Sequence, residues 1–275
     1  MVLFREAWTA YKTRWGKLVA LSFSALIISF LLSVGLPLLA GVLIGVSMTS
    51  GGSISLMPII LVVILSVVFG IIIGFVSIWA QLALVVGVTD DNVTWTQAYR
   101  IAWSKFFSYL WVTILTGLLV VGAMMFFVIP GIIWGLSLVF VNFVFILENR
   151  RGIDAIARSR TLVRGRWWAV FGRVLLISLI PMVVSLVVSL LAKIFGELSP
   201  INYIATIIMW MIMILIVPFS LLYLRSLYLS AVSLTLADPQ VKEPRRGWPI
   251  AFVIIPWVLL AISVVFSLLS LFPQV

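Results

Sequence analysis

The sequence predicts an all-α fold: a polytopic transmembrane helix bundle of about six to seven spans, with amphipathic helices lying in the membrane interface where spans begin. Three observations predict it. Of 275 residues, 64% are hydrophobic and 9% charged, too little polar surface to cover a soluble domain of that length. The apolar residues form runs long enough to cross a bilayer as helices, at roughly 18–46, 57–88, 107–129, 131–148, 167–195, 201–237 and 249–272. Most of the 18 Lys and Arg collect in alternate gaps between those runs, as the positive-inside rule requires of a multi-pass chain.

The first run is preceded by Phe4, Trp8, Tyr11 and Trp15, whose spacing stacks them on one helical face while Arg5, Lys12 and Arg14 lie off it. Such a helix lies in the interface, with Trp8 and Trp15 as anchors at headgroup level. The first run itself exceeds the apolar core of a secretory signal and carries no small-residue cleavage pattern, so it reads as a retained span. The gap at 47–57 holds no charge. After the second run, Asp90 and Asp91 beside Asn92 read as loop and helix-start residues rather than as a catalytic carboxylate pair.

Thr94 and Gln97 then offer a capping box, and Trp95, Tyr99, Trp103 and Phe106 repeat the aromatic stripe. Tyr-basic-x-x-Trp-x-Lys occurs at Tyr11, Lys12, Trp15, Lys17 and again at Tyr99, Arg100, Trp103, Lys105, an internal repeat with a period of 88 residues. The third and fourth runs are joined by an uncharged turn predicted at Pro130-Gly131. A looser third copy precedes the fifth run: Ile153, Ile156 and Val163 make an apolar side, Asp154 stands four residues before Arg158 for an ion pair, and Trp167 and Trp168 follow as anchors. The 195–200 connection offers only Lys193 and Glu197, and Lys242, Arg245 and Arg246 precede the last run. Pro37, Pro181, Pro218 and Pro256 mark bends within spans. Gly41 with Gly45, Gly70 with Gly74 and Gly131 with Gly135 make GxxxG pairs, read as close helix packing within the chain.

These elements compose one integral membrane domain over 1–275. It is built as repeat units at about 1–90, 91–149 and 150–238 with an appended span at 249–272. The charge pattern places the N-terminus in the cytoplasm; seven crossings would put the C-terminus outside, whereas a re-entrant last run would return it.

The chain has no His and no Cys, which removes His-based triads, His-liganded metals, thiolate nucleophiles, disulfides and Cys-held clusters. Walker A, HExxH and GxSxG patterns are missing too. No cofactor or nucleic-acid partner is expected, and the chain reads as a non-enzyme. Arg150, Arg151, Arg158, Arg160, Arg164 and Arg166 form the densest basic cluster and are the candidate contacts for anionic lipid headgroups, each worth about 1 kcal/mol near an anionic leaflet. Gln81, Asn142, Glu148, Arg173, Asn202 and Arg225 are the polar groups that could reach membrane depth. A charge at span centre costs roughly 2.5–3.5 kcal/mol on insertion scales, so Glu148 is expected to pair with Arg173 or Arg225, unless those cations serve as interface anchors.

Pro130-Gly131, Phe143, Glu148, Gly152, Ala155, Ser159, Leu162, Gly165, Trp167, Trp168 and Phe171, followed by Pro218-Phe219 and Leu222-Tyr223, resemble the glycerophosphoryl diester phosphodiesterase membrane-domain family and related bacterial multi-pass proteins. The resemblance covers about 95–223 and implies a bundle of about six helices in a cytoplasmic membrane. The family's phosphodiesterase chemistry belongs to a separate soluble domain that uses His, so its activity is not implied here. The resulting expectation is a multi-pass protein of the cytoplasmic membrane that interacts with anionic lipid or with a partner membrane protein. The alternative is a transporter or channel for a small or amphiphilic solute.

Overall fold

Backbone in hydrocarbon has no water to bond, so it must satisfy its own donors and acceptors. The chain does so with helix, and no strand occurs among the described residues. The structure, a computed structural model, describes residues 2–49, 56–196, 199–237 and 255–265. In order these form α1 (Val2–Thr49), α2 (Leu56–Thr89), α3 (Trp95–Phe126), α4 (Val128–Ser137), α5 (Val141–Leu147), α6 (Gly152–Val163), α7 (Trp167–Phe195) and α8 (Pro200–Leu236). A further helical stretch covers Ile255–Val265. Among the described residues, five segments are long and apolar enough to cross a membrane: Ile60–Thr89, Trp95–Met125, Val128–Leu147, Trp167–Phe195 and Pro200–Leu236. The protein is therefore a helical membrane protein. The expected first run lies within α1, and Ile255–Val265 falls inside the expected last one. Glu197, the gap with Lys242, Arg245 and Arg246, and both ends of the 249–272 run lie outside the described residues.

Three local expectations are corrected. The aromatic entrances before the first and third runs are not separate helices: each is the opening of a helix that continues into the apolar run, because neither carries a residue sequence able to break it. Only the third entrance, α6, is set apart, by Gly165 at φ +77, a conformation that glycine adopts without steric cost. The turn between the third and fourth runs falls at Phe127, whose extended backbone caps α4, and not at Pro130-Gly131. Pro130 instead occupies the first turn of α4, where a missing N–H leaves no helical bond unmade. The expected fourth run is broken into α4 and α5 by a turn at 138–140.

The GxxxG pairs also divide. A Cβ on Gly131 would collide with the Met124 side chain and come within 3.2 Å of the Met124 Cα, so this glycine permits the α3–α4 hairpin to close. Gly41, Gly45, Gly70 and Gly74 have nothing within 4 Å of such a Cβ among the described residues, so no close helix contact is made at those two motifs there. Pro181 and Pro218 lie inside α7 and α8, which continue through them.

The chain forms two compact units. One comprises Met1–Ala7, Phe107–Leu186 and Ser220–Val275; the other comprises Trp8–Phe106 and Val187–Phe219.

Candidate functional site

In the first unit, polar chemistry gathers at the turn from α5 into α6. Glu148 ends α5, where the helix dipole disfavours an anion, so its charge needs cations. Asn149 at φ 52 and Gly152 at φ 54 reverse the chain at this point, and the left-handed region is one that Asn and Gly tolerate. The reversal brings α6 back beside α5. Arg158 Nε then donates to both carboxylate oxygens of Glu148 at 3.0 Å, and Arg150 Nε pairs with Oε2 at 3.2 Å. The Tyr228 hydroxyl of α8 donates to Oε1 at 2.9 Å. The Tyr228 ring is held by Phe143, stacked at 5.8 Å, and by the edge of Phe140 at 5.9 Å.

Glu148 thus has a cationic partner, as its burial demands, but the partners are Arg158 and Arg150 rather than Arg173 or Arg225. The reason is the sharp reversal at 149–152, which delivers α6 cations to the carboxylate. The same geometry takes Arg158 to Glu148 in place of the i,i+4 pairing expected with Asp154. Arg173 lies in the second turn of α7 beside an apolar cavity, and Arg225 lies in α8.

Further contacts seat α6. The Ser159 hydroxyl donates to the Ser137 carbonyl at 2.9 Å, using an acceptor at the end of α4 that helix bonding leaves over. Arg160 sits over the Trp134 ring at 4.3 Å, a cation–π contact, and burial followed by the neighbouring Arg164 charge lowers its pKa. Arg166 donates to the Leu234 carbonyl at 3.1 Å and the Ala231 carbonyl at 3.5 Å, capping the negative end of α8. Ala155, Ile156, Ser159, Leu162 and Val163 are buried, so α6 has the amphipathic character that its sequence predicts. Of the six candidate headgroup cations, Arg158, Arg160 and Arg166 are therefore engaged inside the protein and Arg150 shares Glu148. Arg151 and Arg164, just outside the two ends of α6, are exposed.

The predicted interfacial anchors behave more uniformly. Trp8, Trp15, Trp95, Trp103 and Trp168 are all exposed, whereas Trp167 is half-buried and stacks on Phe171 at 5.1 Å. In the second unit, Tyr99 bonds Ser24 at 2.8 Å and its carbonyl accepts from Trp79 Nε1 at 3.1 Å. Thr94 and Gln97 form the expected capping box, with the Thr94 N–H donating to Gln97 Oε1 at 2.9 Å. Asp90 accepts from the Asn92 N–H at 3.0 Å as a loop residue.

One contact set of this unit was not foreseen: Arg14 pairs with Asp91, and Lys17 Nζ donates to the Asp90 carbonyl at 2.7 Å. The first entrance thereby straps the loop between α2 and α3. Burial, then Arg14, lowers the Lys17 pKa against the opposing pull of Asp90 and Asp91.

Fold and site define a helical membrane protein in which Arg14, Lys17, Arg158, Arg160 and Arg166 are engaged in contacts between its helices and loops, while Arg151 and Arg164 stay exposed. No protein-family model, no curated protein and no solved structure matches the chain.

Proposed function

We propose that this is a non-enzymatic multi-pass protein of a cytoplasmic membrane, with its N-terminus on the cytoplasmic side, that binds anionic lipid at the cytoplasmic face. The observation that carries the reading is the exposure of Arg151 and Arg164 at the two ends of α6, a helix whose apolar side is buried. Two unshielded cations on a seated helix attract an anionic leaflet by about 1 kcal/mol each. Exposed Arg5, Lys12 and Arg100, in segments that also carry exposed Trp8, Trp15, Trp95 and Trp103, support attraction to an anionic interface.

The state of Glu148 supports a structural rather than catalytic role, since both its oxygens already accept bonds from Arg158 and one also from Tyr228. The packing around it supports anchoring over transport: Tyr109, Phe140, Phe143, Phe145, Leu162 and Leu227 are fully buried. The resemblance to the phosphodiesterase membrane-domain family belongs to this proposal. It gains support from the convergence of its residues: Phe143, Ala155, Ser159 and Leu162 are buried beside the turn that Glu148 and Gly152 make.

The test is retention of phosphatidylglycerol by the intact protein, read by native mass spectrometry. Arg151→Gln with Arg164→Gln should weaken retention by roughly tenfold or more, from the two lost attractions. Unchanged retention in that double variant would remove the reading.

A further inference from the structure

We propose that Arg173 binds the phosphate of a single membrane phospholipid whose acyl chain lies in the apolar cavity beside it. The proposal extends the lipid-binding reading to a second site, distinct in residues from Arg151 and Arg164.

The cavity measures about 600 Å³ and lies within the first unit. Its walls are Leu3 and Phe4 of α1, Leu176, Ile177 and Ile180 of α7, and Tyr223 of α8, with Arg173 at its polar end. Arg173 and Tyr223 are the polar side chains on this lining, both able to donate, and no acid belongs to it. Among the described residues, no carboxylate forms an ion pair with Arg173. A permanent cation at the edge of a span therefore meets a pocket that supplies donors and no anion.

Depth argues for a lipid. Arg173 stands six residues after Trp167, about 9 Å along the helix, and the exposed Trp168 beside it marks headgroup level. Leu176, Ile177 and Ile180 follow Arg173 by 3, 4 and 7 residues, so they continue the same face of α7 deeper into the hydrocarbon. The order of chemistry along that face is cation first and apolar wall beneath, which is the order of a phospholipid lying along one leaflet. The guanidinium fork matches phosphate oxygens in a bidentate manner. A free phosphate would use the fork and leave the apolar wall empty; a neutral hydrocarbon would do the reverse.

The experiment is native mass spectrometry of the full chain released from phosphatidylglycerol–phosphatidylcholine nanodiscs, scoring the most tightly held lipid. Arg173→Gln should lower its occupancy at least tenfold. Leu176→Trp, a change at a lipid-exposed position that fills the cavity without cutting the core, should do the same. Arg173→Lys should restore part of the occupancy. Unfolding temperature is recorded for each variant, and loss of lipid at an unchanged temperature supports the site. The Arg151→Gln, Arg164→Gln protein should keep this lipid, whatever happens to weaker ones, so failure of the α6 surface and failure of this site are read separately. The proposal is overturned if both Arg173→Gln and Leu176→Trp retain the lipid, if only the α6 variant loses it, or if inorganic phosphate alone displaces it.

Discussion

The Glu148 cluster of the first unit and the Asp90–Asp91 loop of the second are both places where arginine reaches across helices to an acid, yet they sit in different surroundings. Glu148 and Arg158 have side chains only 20% and 13% exposed, and Tyr228 closes over them from a buried position. Asp91 is 48% exposed against 20% for Arg14, and water competes for that pair. The GxxxG motifs divide in the same way, Gly131 pressed against Met124 in one unit and Gly70 and Gly74 facing open space in the other. Two regions with the same sequence vocabulary thus differ in what the words do, and burial makes the difference.

The largest way to break that contrast is at Glu148. Glu148→Gln removes the charge that offsets two arginines and weakens an acceptor used by Tyr228. Breaking one side of a buried ion pair costs about 3 kcal/mol at the low end of its range. Reversible unfolding in mixed micelles should show that loss, and Tyr228→Phe should show about 1 kcal/mol. A Glu148→Gln protein as stable as wild type would mean that the cluster does not hold the turn.

Next in size is the glycine pair. Gly131→Ala places a methyl where Met124 already is, and overpacking of this kind costs about 1–3 kcal/mol. Gly74→Ala meets open space and should be neutral, or stabilising by up to about 1 kcal/mol from lost chain freedom in the unfolded state. Equal effects at the two sites would erase the distinction between packed and lipid-facing motifs.

What was legible in the sequence was local. The capping box at Thr94 and Gln97 is readable because its partners stand three residues apart, and the apolar side of α6 because helical period alone places Ile156 and Val163 together. The demand of Glu148 for a cation was readable from depth and charge, but the identity of that cation was not. It depends on two left-handed residues, Asn149 and Gly152, whose conformation is decided by how α6 packs. The turn at Phe127 was misplaced onto Pro130-Gly131 because turn chemistry favours that dipeptide. The hairpin uses its proline to open α4 and its glycine to approach Met124. The Arg14–Asp91 strap joins residues 77 apart, a separation that no periodicity reports.

A smaller effect sharpens the exposed side of the comparison. Asp91→Asn should cost about 0.5 kcal/mol, within the 0–1 range of solvated pairs, and the loss should shrink as salt is raised. A cycle with Arg14→Gln measures the coupling directly. A coupling above about 2 kcal/mol, insensitive to salt, would place this pair in the class of Glu148 and collapse the contrast.

The smallest effect concerns pH at Lys17. Burial and Arg14 hold its pKa below the ordinary 10.5, so as pH rises the folded protein sheds this proton before the unfolded chain does. Between the lowered value and 10.5 the unfolded state binds more protons, and stability attributable to Lys17 must rise with pH there. Tyr11 works in the opposite sense: burial raises its phenol above 10.0, the unfolded chain ionises first, and stability falls with pH beyond that point. The two slopes partly cancel in the wild type, so the informative quantity is the difference between wild type and Lys17→Met. That difference should slope upward as pH approaches 10.5, and a flat or downward difference would show that Lys17 keeps its proton through its bond to the Asp90 carbonyl.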